Sequence, residues 1–491
     1  LDALERHYGW SEFRPGQRPV VECLLQGQDC LAVLPTGGGK SLCYQLPALV
    51  RSGLVVVISP LVALMEDQVL QLRRRGIAAA CLHGGIEPAQ RRKTLSQLSD
   101  GSLRLLYLAP ERLQGEATRS VLQEHAATGQ LVALAVDEAH CISAWGHDFR
   151  PDYRRLGELR ALCPGVPLVA LSATAAPRVR ADILRLLHLR RPLIQVGSAQ
   201  RHNLHYAMRR RVGDPLQDVV DALENARGAC LIYARTRVSV ERWTERLCDN
   251  GIQAIAYHAG LEPEVRHRAL EHFLEGQDPV LVATVAFGMG VDRPDVGLVL
   301  HLDLPSTPEG YLQESGRAGR DGKPAHCLVL FSPRDRTSLG WAMQSALRRS
   351  SASDAVEEAR RIELAQQQLR RMEAVAEGET CREQALLLSV GELVPPCGRC
   401  DRCLSSAARQ DWSDEATAVL ELLAEVHGTD ARRLSERLNA EEGRSAHWGW
   451  LTRRLVQEEL IHETDDGSQR LYLKESGRRY LRQPWPLHYA A

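Results

Sequence analysis

One stretch, Pro35-Thr36-Gly37-Gly38-Gly39-Lys40-Ser41, constrains this chain more than any other. It follows the apolar run Cys30-Leu31-Ala32-Val33-Leu34, which reads as a short buried strand. It precedes Leu42-Cys43-Tyr44-Gln45-Leu46, which starts like a helix. A strand, a glycine-rich turn and a helix opening with Lys-Ser form a cradle for a triphosphate. The glycines let the backbone curl until its N–H groups point inward at phosphate oxygens. Lys40 is then expected on the β- and γ-phosphates and Ser41 on Mg2+, with the helix N-terminus favouring the anion. Thr36, Gly37, Gly38 and Gly39 complete the expected nucleotide contacts. Leu34 stands where the G-x-x-x-x-G-K-[ST] pattern has its first glycine, so the rest of the chain has to carry part of the argument.

A chain of 491 residues exceeds the roughly 250–300 at which a single core stops growing, so several domains are expected. No apolar run reaches the roughly 18–20 residues of a membrane span, and no membrane partner is expected. The opening Leu1-Asp2-Ala3-Leu4-Glu5 does not read as a signal peptide. A net charge of −1 argues against a histone-like nucleic-acid binder, yet leaves room for a basic groove. Thirteen cysteines, most of them scattered in apolar or helical contexts, fit a reducing cytoplasm better than a disulfide framework.

From residue 30 to about 197, short apolar runs alternate with helical patterns. The runs are Leu54–Ile58, Leu103–Leu108, Leu131–Val136 and Leu168–Leu171. Such alternation implies βαβ units around a parallel sheet, whose ligands sit at the carboxyl ends of the strands. Polar residues follow each run there: Ser59, Arg112, Asp137-Glu138-Ala139-His140 and Ser172-Ala173-Thr174. An acidic residue closing a hydrophobic strand can hold Mg2+, and the next carboxylate can orient or deprotonate the attacking water. Asp137 and Glu138 are expected in those roles. Upstream, Trp10, Phe13, Arg14 and Gln17 suit a purine, although a helix cap behind the Pro15-Gly16 turn explains the same residues.

A second pattern of the same kind runs from about 198 to 335. Its strands are expected over Ala229–Tyr233, Gln253–Tyr257, Val280–Ala283, Val296–Leu302 and Cys327–Phe331. It has no phosphate loop. It offers instead the run from Ala283 to Asp292 and the run from Gln313 to Asp321. In the latter, Arg317 and Arg320 are expected three apart on one helix face, from which they would approach a γ-phosphate as arginine fingers.

Taken in order, Phe13 through Gln17, Pro35 through Ser41, Asp137 through His140, Ser172 through Thr174 and Gln313 through Arg320 resemble the superfamily 2 helicases. Within them the series is similar to the RecQ family of DNA helicases, in which the loop does not require the glycine replaced by Leu34. The resemblance implies an α/β architecture of two RecA-like parallel-sheet lobes, over 1–197 and 198–335. A helical zinc-binding module over 336–410 and a winged-helix domain over 411–491 would follow. It also implies that Gln17 and Arg14 contact adenine, with Trp10 stacking where the family usually has Tyr. Arg320 would be the main finger with Arg317 beside it. The stretch from Ala139 to Tyr153 looks like the family's aromatic-rich loop, which couples single-stranded DNA binding to ATP hydrolysis. Its residues agree: Trp145 and Phe149 offer π faces, and His140, His147 and Arg150 offer donors close behind Glu138. Core filling between the lobes is the alternative for the two aromatics.

Residues 336–410 are helical and Arg/Gln-rich, and end in Cys381 and Cys397-Gly398-Arg399-Cys400-Asp401-Arg402-Cys403. Four thiolates can close a tetrahedral Zn2+ site or hold an iron–sulfur cluster, and the resemblance favours structural zinc. Past Asp411 the pattern is three helices and a hairpin: Glu415–Val426, Ala431–Leu438, about His447–Glu459, then Leu460–Glu463 and Arg470–Leu473 around an acidic tip. The chain stops at Ala491, which implies a relative without the C-terminal HRDC module.

The expected activity is ATP-dependent 3′-to-5′ DNA unwinding in repair and recombination, with ATP, Mg2+ and Zn2+. Its partners would be single-stranded and forked or duplex DNA, contacted through phosphates at Ser59, Arg112, Arg237 and Thr284. A single-strand-binding protein, monomeric action and a cytoplasmic, nucleoid-associated location complete the expectation. The rivals are an RNA-remodelling ATPase, which should lack the aromatic loop and the cysteine cluster, and a non-enzymatic DNA-annealing scaffold.

Overall fold

The computed structural model describes residues 1–146, 148–277, 279–285, 293–350, 355–426, 428–442, 447–466 and 468–490. His147 and most of the run from Ala283 to Asp292 lie outside the described residues.

The first sheet takes seven strands: β1 (Cys30–Val33), β2 (Leu54–Ile58), β3 (Ala79–Leu82), β4 (Leu105–Leu108), β5 (Leu131–Val136), β6 (Leu168–Ser172) and β7 (Leu193–Val196). All pair in parallel, in the order β3-β4-β2-β5-β6-β1-β7. Helices cover both faces, so the central strands are apolar throughout, except for Ser172 at the end of β6. In β2, Leu54, Val56 and Ile58 enter one core while Val55 and Val57 enter the other. The register sets Val33 opposite Ser172 and Ile58 opposite Val136. The strand ends are therefore level, and Pro35, Ser59, Asp137 and Ala173 emerge along one rim.

The second sheet takes six parallel strands: β8 (Leu204–Arg210), β9 (Ala229–Tyr233), β10 (Ala254–Tyr257), β11 (Val280–Ala283), β12 (Val296–His301) and β13 (Ala325–Phe331). Their order is β10-β11-β9-β12-β13-β8. One of its two cores continues through Leu369, Met372, Leu386 and Leu387 to Cys381 and Cys400, so the helical module has no separate interior. The helices Pro333–Ser350 and Ala355–Glu377 form a hairpin ahead of the cysteines.

The C-terminal part has its own core around Trp412, Leu420, Leu451 and Tyr480. Helices Ser413–Glu425, Ala431–Glu442 and Trp448–Gln457 precede the hairpin Ile461–Glu463/Leu471–Leu473, the expected winged-helix order. Its acidic tip is docked: Asp465 accepts from Arg370, which also donates to the Glu463 carbonyl at 2.9 Å. Glu463 itself pairs with Arg336 at 2.5 Å. None of the thirteen cysteines is in a disulfide, and no helix among the described residues is long and apolar enough to cross a membrane.

Candidate functional site

The phosphate loop begins where β1 ends and passes into the helix Lys40–Val50. Gly37 and Gly39 take left-handed φ values of 79° and 70°, the curl that an inward-facing amide ring needs. Gln17 is buried against this loop. Its amide nitrogen donates to the carbonyls of Gly38 (3.2 Å) and Gly39 (2.9 Å), while its oxygen accepts from the Arg14 N–H at 2.8 Å. The Arg14 guanidinium donates to the Gly37 carbonyl and lies 6.0 Å from the Trp10 ring, which stacks on Tyr8. Of the residues singled out for a purine, Arg14 and Gln17 are thus bonded to the phosphate loop, Trp10 lies beside Arg14, and Phe13 packs on the adjoining core.

Asp137 and Glu138 follow β5 and are both buried. Burial first, then the charge of Glu138, pushes the Asp137 carboxyl up to about 7, with Lys40 opposing. Glu138 adopts a left-handed φ of 46°, a strained setting for a side chain with a Cβ. Its Oε2 accepts no hydrogen bond among the described residues and lies 3.4 Å from His140 Nδ1. His140 Nδ1 donates to Ser172 Oγ at 3.0 Å, because that hydroxyl is spent on the Thr174 carbonyl at 2.6 Å. His140 therefore links the acidic pair to the Ser172-Ala173-Thr174 motif.

A divalent cation binds the carboxylate and not the acid. If Asp137 holds Mg2+ as the sequence leads one to expect, its contribution to Mg2+ affinity weakens about tenfold per pH unit below pH 7 and levels off above it, since its proton must leave first. Titrating Mg2+ in the presence of nucleotide between about pH 5.5 and pH 8, for the protein and for Asp137→Asn side by side, separates this from the titration of the nucleotide's own phosphate; identical pH dependence in the two would exclude Asp137 as a ligand.

Arg317 and Arg320 depart from expectation. The helix Pro308–Ser315 stops before both, and they lie in consecutive turns instead of on one helix face. Past Gly316 the pattern shortens to i→i−3 bonds and then breaks, the Gly319 N–H donating to the Val296 carbonyl at 2.8 Å, and the Arg201 guanidinium donates to the carbonyls of Ala318 (3.2 Å) and Gly319 (2.6 Å). The turns abut the first lobe. A Cβ on Gly316 would sit 3.1 Å from Thr36 Cβ, and one on Gly37 would sit 3.6 Å from the Arg320 side chain. Arg317 is buried near Tyr233, whose ring stacks on His301 at 4.8 Å, and His301 Nε2 is 2.8 Å from Glu314.

The aromatic-rich loop leaves Glu138 through a short 3-10 turn, Ala139–Ile142. The Arg178 guanidinium covers the Trp145 ring at 3.3 Å, and Phe149 has Arg154 at 5.0 Å and Arg361 at 5.2 Å. The rings carry cations on their faces, an arrangement nothing in the local sequence foretold. Arg150 is clamped by Asp148 at 3.0 Å and donates to the Pro60 carbonyl at 2.7 Å. It shares a cleft cavity of about 420 Å3 with Gln313, Glu314 and Arg317, so the loop faces the arginine turns across open space. Ser59, Arg112, Arg237 and Thr284 follow β2, β4, β9 and β11 in turn.

Cys381, Cys397, Cys400 and Cys403 bring their sulfurs within 4.8 Å of one another. Backbone N–H groups already face them: Cys397 N to Cys381 Sγ (3.2 Å), Cys400 N to Cys397 Sγ (3.3 Å), and Arg382 N and Cys403 N to Cys400 Sγ (3.4 Å each). Four sulfurs at that spacing with amide donors around them fit Zn2+, and leave it no open position for chemistry.

Residues 14–183 match the DEAD/DEAH box helicase family, 214–322 the helicase conserved C-terminal domain and 335–404 the RecQ zinc-binding family. The ATP-dependent DNA helicase RecQ of Haemophilus influenzae is 36% identical over 514 residues, covering 100% of this chain and 81% of that protein. The ATP-dependent DNA helicase RecQ of Bacillus subtilis is 37% identical, over 85% of this chain and 69% of its own. In fold, the chain is similar to the Mycobacterium smegmatis helicase Lhr solved with ssDNA and AMP-PNP, with a TM-score of 0.57 at 20% identity over 98% of this chain. The chain spans 62% of that larger protein. Sequence agreement that runs from the phosphate loop through the cysteines, in order, exceeds what a shared fold alone produces, and the chain belongs to the RecQ family of ATP-dependent DNA helicases.

Proposed function

We propose that ATP hydrolysis takes place between the lobes, with Lys40 and the phosphate loop holding the triphosphate and Ser41 and Asp137 holding Mg2+. Glu138 acts as the base toward the attacking water, and Arg320, with Arg317 beside it, neutralises charge on the transferring phosphoryl group. Trp10, Arg14 and Gln17 form the adenine side. The observation that carries this reading is the Arg320 side chain against Gly37, an arginine of one lobe on the phosphate loop of the other. The two halves of the site meet at this contact, and nucleotide bound there would be held from both lobes at once.

The motor translocates 3′ to 5′ along single-stranded DNA, with phosphates gripped at Ser59, Arg112, Arg237 and Thr284. His140, Trp145, His147, Phe149 and Arg150 report DNA to the ATP site. A base stacking on Trp145 would displace the Arg178 guanidinium, which rests at 3.3 Å, and so free the loop that begins at Glu138. The working units are 1–197, 198–335, 336–410 and 411–491, an assignment supported by the strand gap between Val196 and Leu204. Monomeric action at the bacterial nucleoid, beside a single-strand-binding protein, belongs to the same reading.

Steady-state ATPase with and without single-stranded DNA tests it. Trp145→Ala is expected to lose DNA stimulation by about tenfold or more, the cost of a base stack, and to keep basal turnover. If single-stranded RNA stimulates equally and the variant behaves as wild type, the coupling role of the loop is wrong and an RNA-remodelling activity leads.

A further inference from the structure

We propose that Arg201 and Arg399 are positioning residues for ATP turnover, linking the zinc module to the turns that carry Arg317 and Arg320. The proposal rests on the arginine roles given above. Residues 197–203 join β7 to β8 and are the covalent link between the two sheets. Side chains of the zinc module hold this segment at successive points. Glu392 accepts from the Ala199 N–H at 2.8 Å and from the Ser198 hydroxyl. The Arg399 guanidinium donates to the Arg201 carbonyl at 3.2 Å and to the Leu204 carbonyl at 3.1 Å. Buried Glu383 fixes that guanidinium at 2.5 Å.

From the held segment the Arg201 side chain reaches the arginine turns. It donates to Gly319 O (2.6 Å), Ala318 O (3.2 Å) and Gly316 O (3.5 Å), the carbonyls that flank Arg317 and lead into Arg320. Asn203 adds a bond to Gly319 O at 2.8 Å and another to Lys323 O at 2.8 Å. A planar guanidinium forked across several carbonyls sets a turn that no helix supports, which a lysine ammonium cannot do with the same geometry. The turn lies against Thr36 and Gly37, so a shift in it is a shift of the arginines relative to the phosphates. Misplacement by about 1 Å costs on the order of 100-fold in rate. The phosphate loop and the adenine cluster belong to the other lobe and are untouched by such a shift, so the loss falls on kcat and not on nucleotide binding.

The test uses the full chain, with saturating single-stranded DNA, and reads kcat, KM for ATP, zinc content and melting temperature for each variant. Arg201→Ala is expected to lower kcat about tenfold or more with KM within about twofold. Arg399→Ala should shift kcat the same way with zinc retained, and the double variant should be no worse than Arg201→Ala, because the two act in series. Arg201→Lys, which keeps the charge and loses the fork, carries the test if the alanine variant does not fold, and it too should lower kcat alone. An Arg201→Lys or Arg201→Ala kcat within about twofold of wild type overturns the proposal, as does a loss that appears in KM to the same extent. Arg320→Ala is run alongside: if it keeps full turnover, the finger reading fails, and if it alone loses turnover, the relay fails.

Discussion

Glu138→Gln is expected to lower DNA-stimulated ATP turnover by about 10²- to 10⁴-fold, the range for losing a general base, equivalent to about 3–5 kcal/mol of barrier. The substitution changes charge and almost no volume, so the buried neighbourhood of His140 and Ser172 survives it. What it removes is a carboxylate oxygen that no donor among the described residues occupies. An acceptor left open beside a phosphate loop can take a proton from water; an amide cannot. Glu138 is also one of six non-glycine residues with a positive φ among the described residues, and the one of them that follows a strand at this site, as expected where geometry serves chemistry. Nucleotide and Mg2+ binding should persist or tighten, because the Glu138 charge is the second cause of the raised Asp137 carboxyl, and removing it lets Asp137 ionise at lower pH. A fluorescent ATP analogue with Mg2+, read beside steady-state turnover, separates the two effects. Turnover within about threefold of wild type would mean that Glu138 is not the base.

Much of this site was legible because its signals are local. Asp137 closes an apolar strand, Lys40 follows a glycine turn, and three of the four cysteines fall within seven residues. In the two large sheets, the strands the sequence does not announce, β3, β7 and β8, are all sheet edges. An edge strand is buried on fewer sides, so β7 alternates exposure instead of forming an apolar run, and β3 is largely alanine and reads as helix. The turns holding Arg317 and Arg320 read as helix from the sequence because the partners that hold them are distant: the Gly319 N–H donates to the Val296 carbonyl, and Arg201, more than a hundred residues earlier, donates to the Gly319 carbonyl. Arg178 and Arg361 over the loop aromatics escaped for the same reason: a cation on a ring face leaves no periodicity in either segment. The winged helix was legible in order, but the docking of its acidic tip on Arg370 depends on a contact across 95 residues.

Removing zinc should have the largest effect on stability. Structural zinc contributes about 10–16 kcal/mol of apparent binding energy, as much as or more than the 5–15 kcal/mol that holds an ordinary domain together. Here the module has no core of its own, since Cys381 and Cys400 are part of the interior of the second lobe. Arg382, fully buried, depends on Asp401 between two of the cysteines, with Nε to Oδ1 at 2.9 Å, and Asp401 also accepts from the Met208 N–H of β8 at 3.0 Å. Without the metal, four sulfurs within 4.8 Å must either take protons or repel, and the turn that presents Asp401 loses its fixed point. Arg382 would then be a buried cation without its carboxylate, a change worth several kcal/mol by itself. Chelation, or Cys400→Ser, is therefore expected to lower the melting temperature of the second lobe and to open residues 379–405 to protease. The phosphate loop, whose cores lie in the other sheet, should keep its affinity for nucleotide. Metal analysis before and after chelation, with limited proteolysis and calorimetry on the same samples, reads each effect separately. A metal-free protein that melts and resists protease like the holoprotein would mean that the four thiols are held by the surrounding ion pairs alone, and that zinc adds nothing to this fold.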